Sequence, residues 1–257
     1  MNLTGKNPGA GRLEPVNIFG VRVDRLRAEE VLTQVETYLG GDRPRRIYFV
    51  YANCLNVAYS DPGFREALNR ADLVLNDGLG LEIAGRTLGK PFPENLCGTD
   101  FLTLVLERAG RLGKSVYLLG GKPGIAEACG ERLIREIPGV KLAGLASGFF
   151  ENEARVADSI RAARPDLLLV GMGVPIQEKL IDRWAAELPV RLAIGVGAFL
   201  DFYSGAVPRA PLWVRRRRME WLFRLLREPR RLWRRYLIGN LTFLLHLLRF
   251  RLMGEKR

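Results

Sequence analysis

The chain has 257 residues, enough to bury a sizeable core, and its hydrophobic share of 47% is that of a globular protein. Its 40 Lys and Arg outnumber 28 Asp and Glu for a net charge of +12, yet residues 1–205 hold 25 of each sign. Residues 206–257 hold 15 basic and 3 acidic side chains, so a neutral body carries a strongly basic tail. Such a tail suits a fixed polyanion: nucleic acid, an anionic membrane surface or phosphates. Cys54, Cys97 and Cys129 are odd in number and far apart, which argues against a disulfide framework or a metal knot and fits a reducing cytosol.

Residues 1–15, MNLTGKNPGAGRLEP, lack the apolar core of a signal peptide and are expected to form a flexible arm. A strand pair around Gly20 is predicted over Val16–Val23, then a helix over Arg27–Leu39. Ile47–Val50 reads as a buried strand leading through Tyr51-Ala52-Asn53 into a helix. Ala71–Leu75 is the next strand, and Asn76-Asp77-Gly78 follows it at once, before a helical segment that contains Gly80. A helix is expected over Asp100–Leu112, a strand over Ser115–Leu119, and a helix start at Pro123. Strands over Val140–Leu145, Asp166–Val170 and Arg191–Ile194 alternate with helices over Glu151–Ala163 and Ile176–Leu188. Short apolar strands separated by helices predict an α/β, Rossmann-like and mostly parallel sheet with helices on both faces, spanning 16–205.

After Gly205 the composition changes. Ala206 to Pro211 is a Pro-punctuated connector, and two amphipathic helices are predicted over Leu212–Arg227 and Arg231–Leu252, broken at Pro229. Trp213, Trp221, Phe223, Trp233 and Tyr236 lie among the arginines, including the run Arg215–Arg218. That mixture suits a membrane-surface helix, a nucleic-acid binder or a helix pair docked on the body. The apolar stretch Tyr236–Leu248 is too short and interrupted for the ~20 residues that span a bilayer.

The predicted strands end repeatedly in glycine. Gly120 and Gly121 precede a helix start, and Gly171 and Gly173 precede Gln177 and Glu178; such loops suit phosphate and sugar binding. The GK[ST] pattern of a nucleotide P-loop is missing. Asp77, after its strand, is the best-placed general base, and Asn53, Gln177 and Asp201 follow other strands at the same edge. Neither an Asp-x-Asp motif nor a histidine cluster is present, so no metal is expected. The sole histidine, His246, reads as packed or membrane-facing.

The order DG-x-G, N-x-x-GTDF, LLGG-x-PG, GFF, PDLLLVGMG-x-P-x-QE, GVGA-x-x-DF, RAP-x-W and EWLFRL-x-x-EP-x-R-x-x-R resembles the WecG/TagA/CpsF family of bacterial glycosyltransferases, glycosyltransferase family 26, over residues 17–236. The resemblance implies an inverting, metal-independent transfer from a UDP-sugar, with no cofactor, to a polyprenyl-diphosphate-linked acceptor in cell-surface polysaccharide synthesis. N-acetylmannosamine, its uronic acid and glucose occur as donor sugars among such relatives. It implies a cytoplasmic protein, peripheral on the inner membrane face through 206–257, without nucleic acid and with room for a homo-oligomer. By that resemblance Asp77 is the base and Asn53 an active-site amide. Gln177 and Asp201 line the nucleotide-sugar pocket, and Arg224, Arg231 and Arg234 neutralise the leaving diphosphate from a tail that completes the site. Many members carry an arginine where this chain has Asn95. Two other readings are weaker: a nucleotide- or nucleic-acid-binding protein with a phosphate-gripping tail, and a dinucleotide oxidoreductase whose glycine fingerprint is poorly formed.

Overall fold

The computed structural model describes residues 13–216 and 219–253. Most of the expected N-terminal arm, and Arg217 and Arg218 of the arginine run, lie outside the described residues. Strands β1 (Val16–Ile18) and β2 (Val21–Val23) form an antiparallel hairpin. Its two-residue turn, Phe19-Gly20, has positive φ at both positions (56° and 81°), the geometry whose twist matches the flanking strands. Asn17 Oδ1 steadies it by accepting from Gly20 N–H at 2.8 Å.

The body then alternates as its apolar runs require: α1 (Ala28–Gly40), β3 (Arg45–Val50), α2 (Ala52–Ser60), α3 (Pro62–Asn69), β4 (Leu73–Asn76), α4 (Leu79–Thr87) and α5 (Gly98–Arg111). It continues through β5 (Ser115–Gly120), α6 (Ile125–Glu136), β6 (Lys141–Ala146), α7 (Glu153–Ala163), β7 (Leu167–Gly171), α8 (Ile176–Trp184), β8 (Leu192–Gly195) and α9 (Phe199–Tyr203). Strands β3 to β8 form one parallel sheet in the order β4-β3-β8-β7-β5-β6. One face is covered by the hairpin, α2, α3, α7 and α8, the other by α1, α5, α6 and α9. Helix α2 leaves β3 toward the first face and α9 leaves β8 toward the second. The neighbouring strands β3 and β8 therefore flank the crevice where such sheets bind ligands.

The body differs from expectation in the added short helices α3 and α9 and at two helix boundaries. Helix α8 ends at Trp184 instead of Leu188, the chain turning ahead of Pro189, and α6 begins at Ile125 because Gly124 takes a left-handed conformation (φ 90°). The tail differs more. In place of two helices it runs as α10 (Leu212–Arg216), α11 (Glu220–Arg227), α12 (Pro229–Trp233), a π-helical turn (Arg234–Ile238) and α13 (Gly239–Met253).

Helix α13 is part of the core. Phe243 and Leu247 are buried in the cluster that fills the first sheet face. The Phe19 ring at the hairpin tip meets Phe243, His246 and Phe250 edge-on at 5.6–5.9 Å, and His246 stacks on Tyr59 at 4.0 Å. His246 is thus packed, with burial lowering its pKa. Gly80 makes room for this: a β-carbon there would sit 3.0 Å from Ala52 Cβ and 3.7 Å from the Phe243 ring. The opposite side of α13 leaves Leu241, Leu244, Leu245 and Leu248 exposed. No helix among the described residues is long and apolar enough to cross a membrane.

A buried polar pair lies under the sheet edge. Gln177 and Glu178 are 3% and 1% exposed on the inner face of α8, beside Leu180, Ile181 and Trp184. Gln177 Nε2 donates to Glu178 Oε1 at 2.8 Å, and Glu178 Oε2 has no partner among the described residues. Burial pushes the Glu178 carboxyl up to about 7 from its ordinary 4.5, against the opposing effect of the Gln177 hydrogen bond.

Phe243→Ala is expected to lower the unfolding free energy by about 3–5 kcal/mol. Leu245→Ala, on the exposed side of the same helix, should change it by less than about 0.5 kcal/mol. Urea denaturation of the two variants checks the contrast, and equal effects would place α13 off the body. For Glu178, the native state keeps a proton that the unfolded chain releases, so its contribution to stability falls as pH rises from about 4.5 through about 7. Glu178→Gln cannot ionise and should therefore gain roughly 3 kcal/mol over wild type near pH 8 and little near pH 4.5. Denaturant midpoints at the two pH values measure this.

Candidate active site

Asp77 stands where the sheet ends. Its N–H donates to Val50 O at 2.9 Å, so it sits beside the end of β3. The half-buried carboxylate accepts from Gly98 N–H, the first residue of α5, at 3.3 Å. Burial pushes its pKa up to about 6; the Gly98 N–H and Arg209 work downward, Glu220 and Asp100 upward. A carboxylate that gives up its proton near neutrality suits a general base.

The loop bearing Asp77 is pinned by the segment before α5. Asn95 Oδ1 accepts from Gly78 N–H at 2.9 Å, Asn76 Nδ2 donates to Glu94 O at 3.0 Å, and Leu96 N–H donates to Asn76 O at 3.2 Å. Gly78 has φ 85°, which disfavours most side chains, so the chain bends directly after Asp77. Asn95 is thus part of the mount of Asp77.

An ion cluster ties the tail to the same place. Asp100 accepts from Arg209 at 2.6 Å and from Arg215 at 2.8 Å, and Arg209 reaches Glu220 at 3.2 Å. Burial alone would raise the Asp100 carboxyl, but Arg209 and Arg215 hold it below the usual carboxylate range. Without these arginines, three acids would crowd one wall of the crevice.

The predicted binding residues divide into two groups. Asn53 is in the first turn of α2, its Oδ1 facing Gly239 of the tail, and the neighbouring Asn56 Nδ2 donates to Gly239 O at 2.7 Å. On the other side of the crevice, Asp201 in α9 lies in the field of Arg231, Arg224 and Lys122; burial raises its pKa, and those cations lower it. Arg224 lies over the Phe202 ring at 5.1 Å, with its Nε buried and without a hydrogen-bond partner among the described residues. Arg231 and Arg234 are exposed; Arg231 pairs with Glu228 at 2.5 Å, and Arg234 lies over Trp233 at 5.4 Å.

The glycines and Gln177 hold strand ends together. A β-carbon on Gly120 would lie 2.4 Å from Gly171 O, one on Gly121 2.4 Å from Ile125, and one on Gly171 2.8 Å from Gly197 O. At these three positions protein atoms occupy the space. Gly173 opens outward with nothing within 4 Å of its missing side chain. Gln177 Oε1 gathers the N–H groups of Gly173 at 3.1 Å and Gly197 at 3.0 Å, clipping the loops after β7 and β8 to each other.

The placements of Glu178, Arg209 and Arg235 escaped the motif reading. Glu178 had a usable signal: 177, 178, 181 and 184 follow helical spacing, which puts both polar side chains on the inner face of α8. Arg209 sits in the RAP segment with no local sign of an ion pair more than a hundred residues distant. Arg235, beside the expected Arg234, lies over the Tyr51 ring at 4.7 Å. No local pattern tells which of two adjacent arginines faces inward, because the π-helical turn shifts the phase.

Residues 16–257 match the Glycosyl transferase WecG/TagA/CpsF family. Among similar proteins is one from Bacillus spizizenii, 36% identical over 180 residues, 70% of each chain. Another, from Bacillus subtilis, is 32% identical over the same length and shares. A third, from Staphylococcus aureus strain MW2, is 27% identical over 221 residues, 85% of this chain and 87% of that one. All three bear the name N-acetylglucosaminyldiphosphoundecaprenol N-acetyl-beta-D-mannosaminyltransferase. With its parallel sheet, its acid at the end of β4 and a match that takes in the basic tail, this chain belongs to the WecG/TagA/CpsF family of glycosyl transferases.

Proposed function

We propose that the protein moves N-acetylmannosamine from UDP to an N-acetylglucosaminyl-diphospho-polyprenol, a step in building a bacterial cell-surface polysaccharide. The names of its relatives support the sugar and the acceptor. The observation that carries the mechanism is Asp77 at the carboxyl edge of the sheet, its pKa pushed up to about 6 by burial, with the tail arginines Arg224 and Arg235 over Phe202 and Tyr51 beside that edge.

In this reading Asp77 takes the proton of the acceptor hydroxyl. The freed oxygen forms a bond to the anomeric carbon as the bond from that carbon to the phosphate oxygen breaks. The electron pair leaves with UDP, and a single displacement of this kind inverts the anomeric centre. Charge growing on the departing diphosphate needs cations held in place beforehand. Lys122, Arg224 and Arg231, whose charges all act on Asp201 on the β8 side, would meet that need without a metal. Gly120, Gly121 and Gly171 shape the donor pocket by letting loops close on each other. Gln177 holds that shape, Gly173 offers open backbone and Asn53 orients the acceptor. Arg234, exposed over Trp233, stands apart from this set.

The tail also places the enzyme at its substrate. Leu237, Ile238, Leu241, Leu244, Leu245 and Leu248 form an exposed apolar band beside a strongly basic surface, the composition of a helix resting in a membrane interface. The protein is then peripheral, on the inner face of an anionic membrane.

Incubation with a panel of UDP-sugars and a polyprenyl-diphosphate-linked N-acetylglucosamine should release UDP with UDP-N-acetylmannosamine and not with UDP-glucose; the reverse preference would overturn the donor assignment. Asp77→Asn should lower kcat by about 10²–10⁴ while leaving UDP affinity unchanged. Because the base must be ionised, kcat should rise with pH through about 6 and then level; a flat profile would remove Asp77 from this role. Leu241→Glu with Leu245→Glu should abolish co-sedimentation with phosphatidylglycerol vesicles. Undiminished binding would mean that another surface meets the membrane.

A further inference from the structure

The proposed reaction brings together two substrates that each carry a diphosphate, and two separate diphosphates need two cationic sites. One is the group around Asp201 on the β8 side of the crevice. The β3 side holds a second cation that the family motif does not mark.

Arg235 lies in the π-helical turn that joins α12 to α13. Its guanidinium sits over Tyr51 at 4.7 Å and over Tyr236 at 5.6 Å, with its Nε buried and without a hydrogen-bond partner among the described residues. Ring faces attract a cation but accept no strong hydrogen bond, so the fork keeps donors unspent. A buried Nε–H without an acceptor is costly, and an anion seated against the fork would supply one. The position is fixed from two directions. Tyr51 follows Val50, whose carbonyl accepts the Asp77 N–H, so Arg235 stands on the same side of the crevice as the base. Asn56 clamps Gly239 four residues further on, which fixes the turn against α2.

Beyond Arg235 the chain presents exposed apolar side chains: Leu237 at 55%, Ile238 at 50% and Leu241 at 60%. An anion site that opens onto an apolar strip matches one ligand chemistry, a diphosphate esterified to a long hydrocarbon. A nucleoside diphosphate has no use for the strip. We infer that Arg235 binds the diphosphate of the lipid-linked acceptor, over Tyr51, and that the hydrocarbon leaves along Leu237, Ile238 and Leu241. The acceptor hydroxyl then approaches Asp77 from the β3 side while UDP departs on the β8 side. This rests on the glycosyl-transfer reading for the identity of the second substrate.

The test separates the two diphosphates by binding, independently of turnover. Arg235→Met keeps an unbranched side chain against Tyr51 and removes the charge; Arg235→Lys keeps the charge. Titration calorimetry of the full chain would use farnesyl diphosphate in detergent micelles, inorganic pyrophosphate and UDP as ligands. For Arg235→Met the farnesyl diphosphate Kd should rise about tenfold or more, the loss of one charged hydrogen bond. The UDP Kd should stay within about twofold, and Arg235→Lys should recover part of the loss. KM for the lipid acceptor should rise in parallel and KM for the UDP-sugar should not. The inference is overturned if UDP binding weakens as much as farnesyl diphosphate binding, or if neither moves and only thermal stability drops. It is also overturned if pyrophosphate competes as well as the farnesyl ester, since the apolar strip would then contribute nothing. A wild-type protein that binds farnesyl diphosphate but not UDP would instead sink the donor reading and leave Arg235 in place.

Discussion

An arginine-rich segment does not rest over a crevice by itself. Its charges repel one another and prefer water, so the body must hold it down with contacts that outweigh that cost. Here the hold is apolar at one end and ionic at the other. At the far end Phe243 and Leu247 of α13 enter the core beside Phe19 and Gly80. At the near end Arg209 and Arg215 close on Asp100. Between these anchors α11, α12 and the π-helical turn cross the carboxyl edge of the sheet, leaving Arg224 on Phe202 and Arg235 on Tyr51. Most of the site's electrostatics depends on this strap.

The two anchors also reach Asp77. Gly80, three residues after it, leaves the space that the Phe243 ring packs beside, and Asp100, two residues after the Gly98 N–H that binds its carboxylate, carries the tail's arginines. Asp77 is therefore mounted between the fixed points of the tail. Glu220 on α11 and Asp100 on α5 both raise its proton affinity, and Arg209 offsets part of that effect. Docking the tail thus sets the charge around Asp77. Asn95 fits the same picture, spending its amide oxygen on the Gly78 N–H at the bend directly after Asp77.

Glycine and glutamine in a motif can mark ligand binding or the assembly of the surface that binds. Gly120, Gly121 and Gly171 are glycine because neighbouring protein atoms occupy the β-carbon position, and Gln177 spends its amide on Gly173, Gly197 and Glu178. These residues act one layer behind the surface. The distinction rests on distances between segments remote in sequence, which spacing within one segment does not encode.

The sequence by itself determined the alternation of strand and helix, hence the parallel sheet, because apolar period and glycine punctuation are local properties. It also determined that Asp77 follows a strand, that the charge is confined to the tail, and which family the motifs resemble. Tertiary structure alone decided that Phe243, Leu247 and His246 face the body while Leu241 and Leu245 face outward, since α13 is apolar on both sides and its pattern names neither. It also decided that Arg235 lies over Tyr51 beside the β3 edge while its neighbour Arg234 lies over Trp233 on the exposed face. The reason is geometric: a helix turns a residue toward or away from a site by its phase, and only its docking against the body sets that phase.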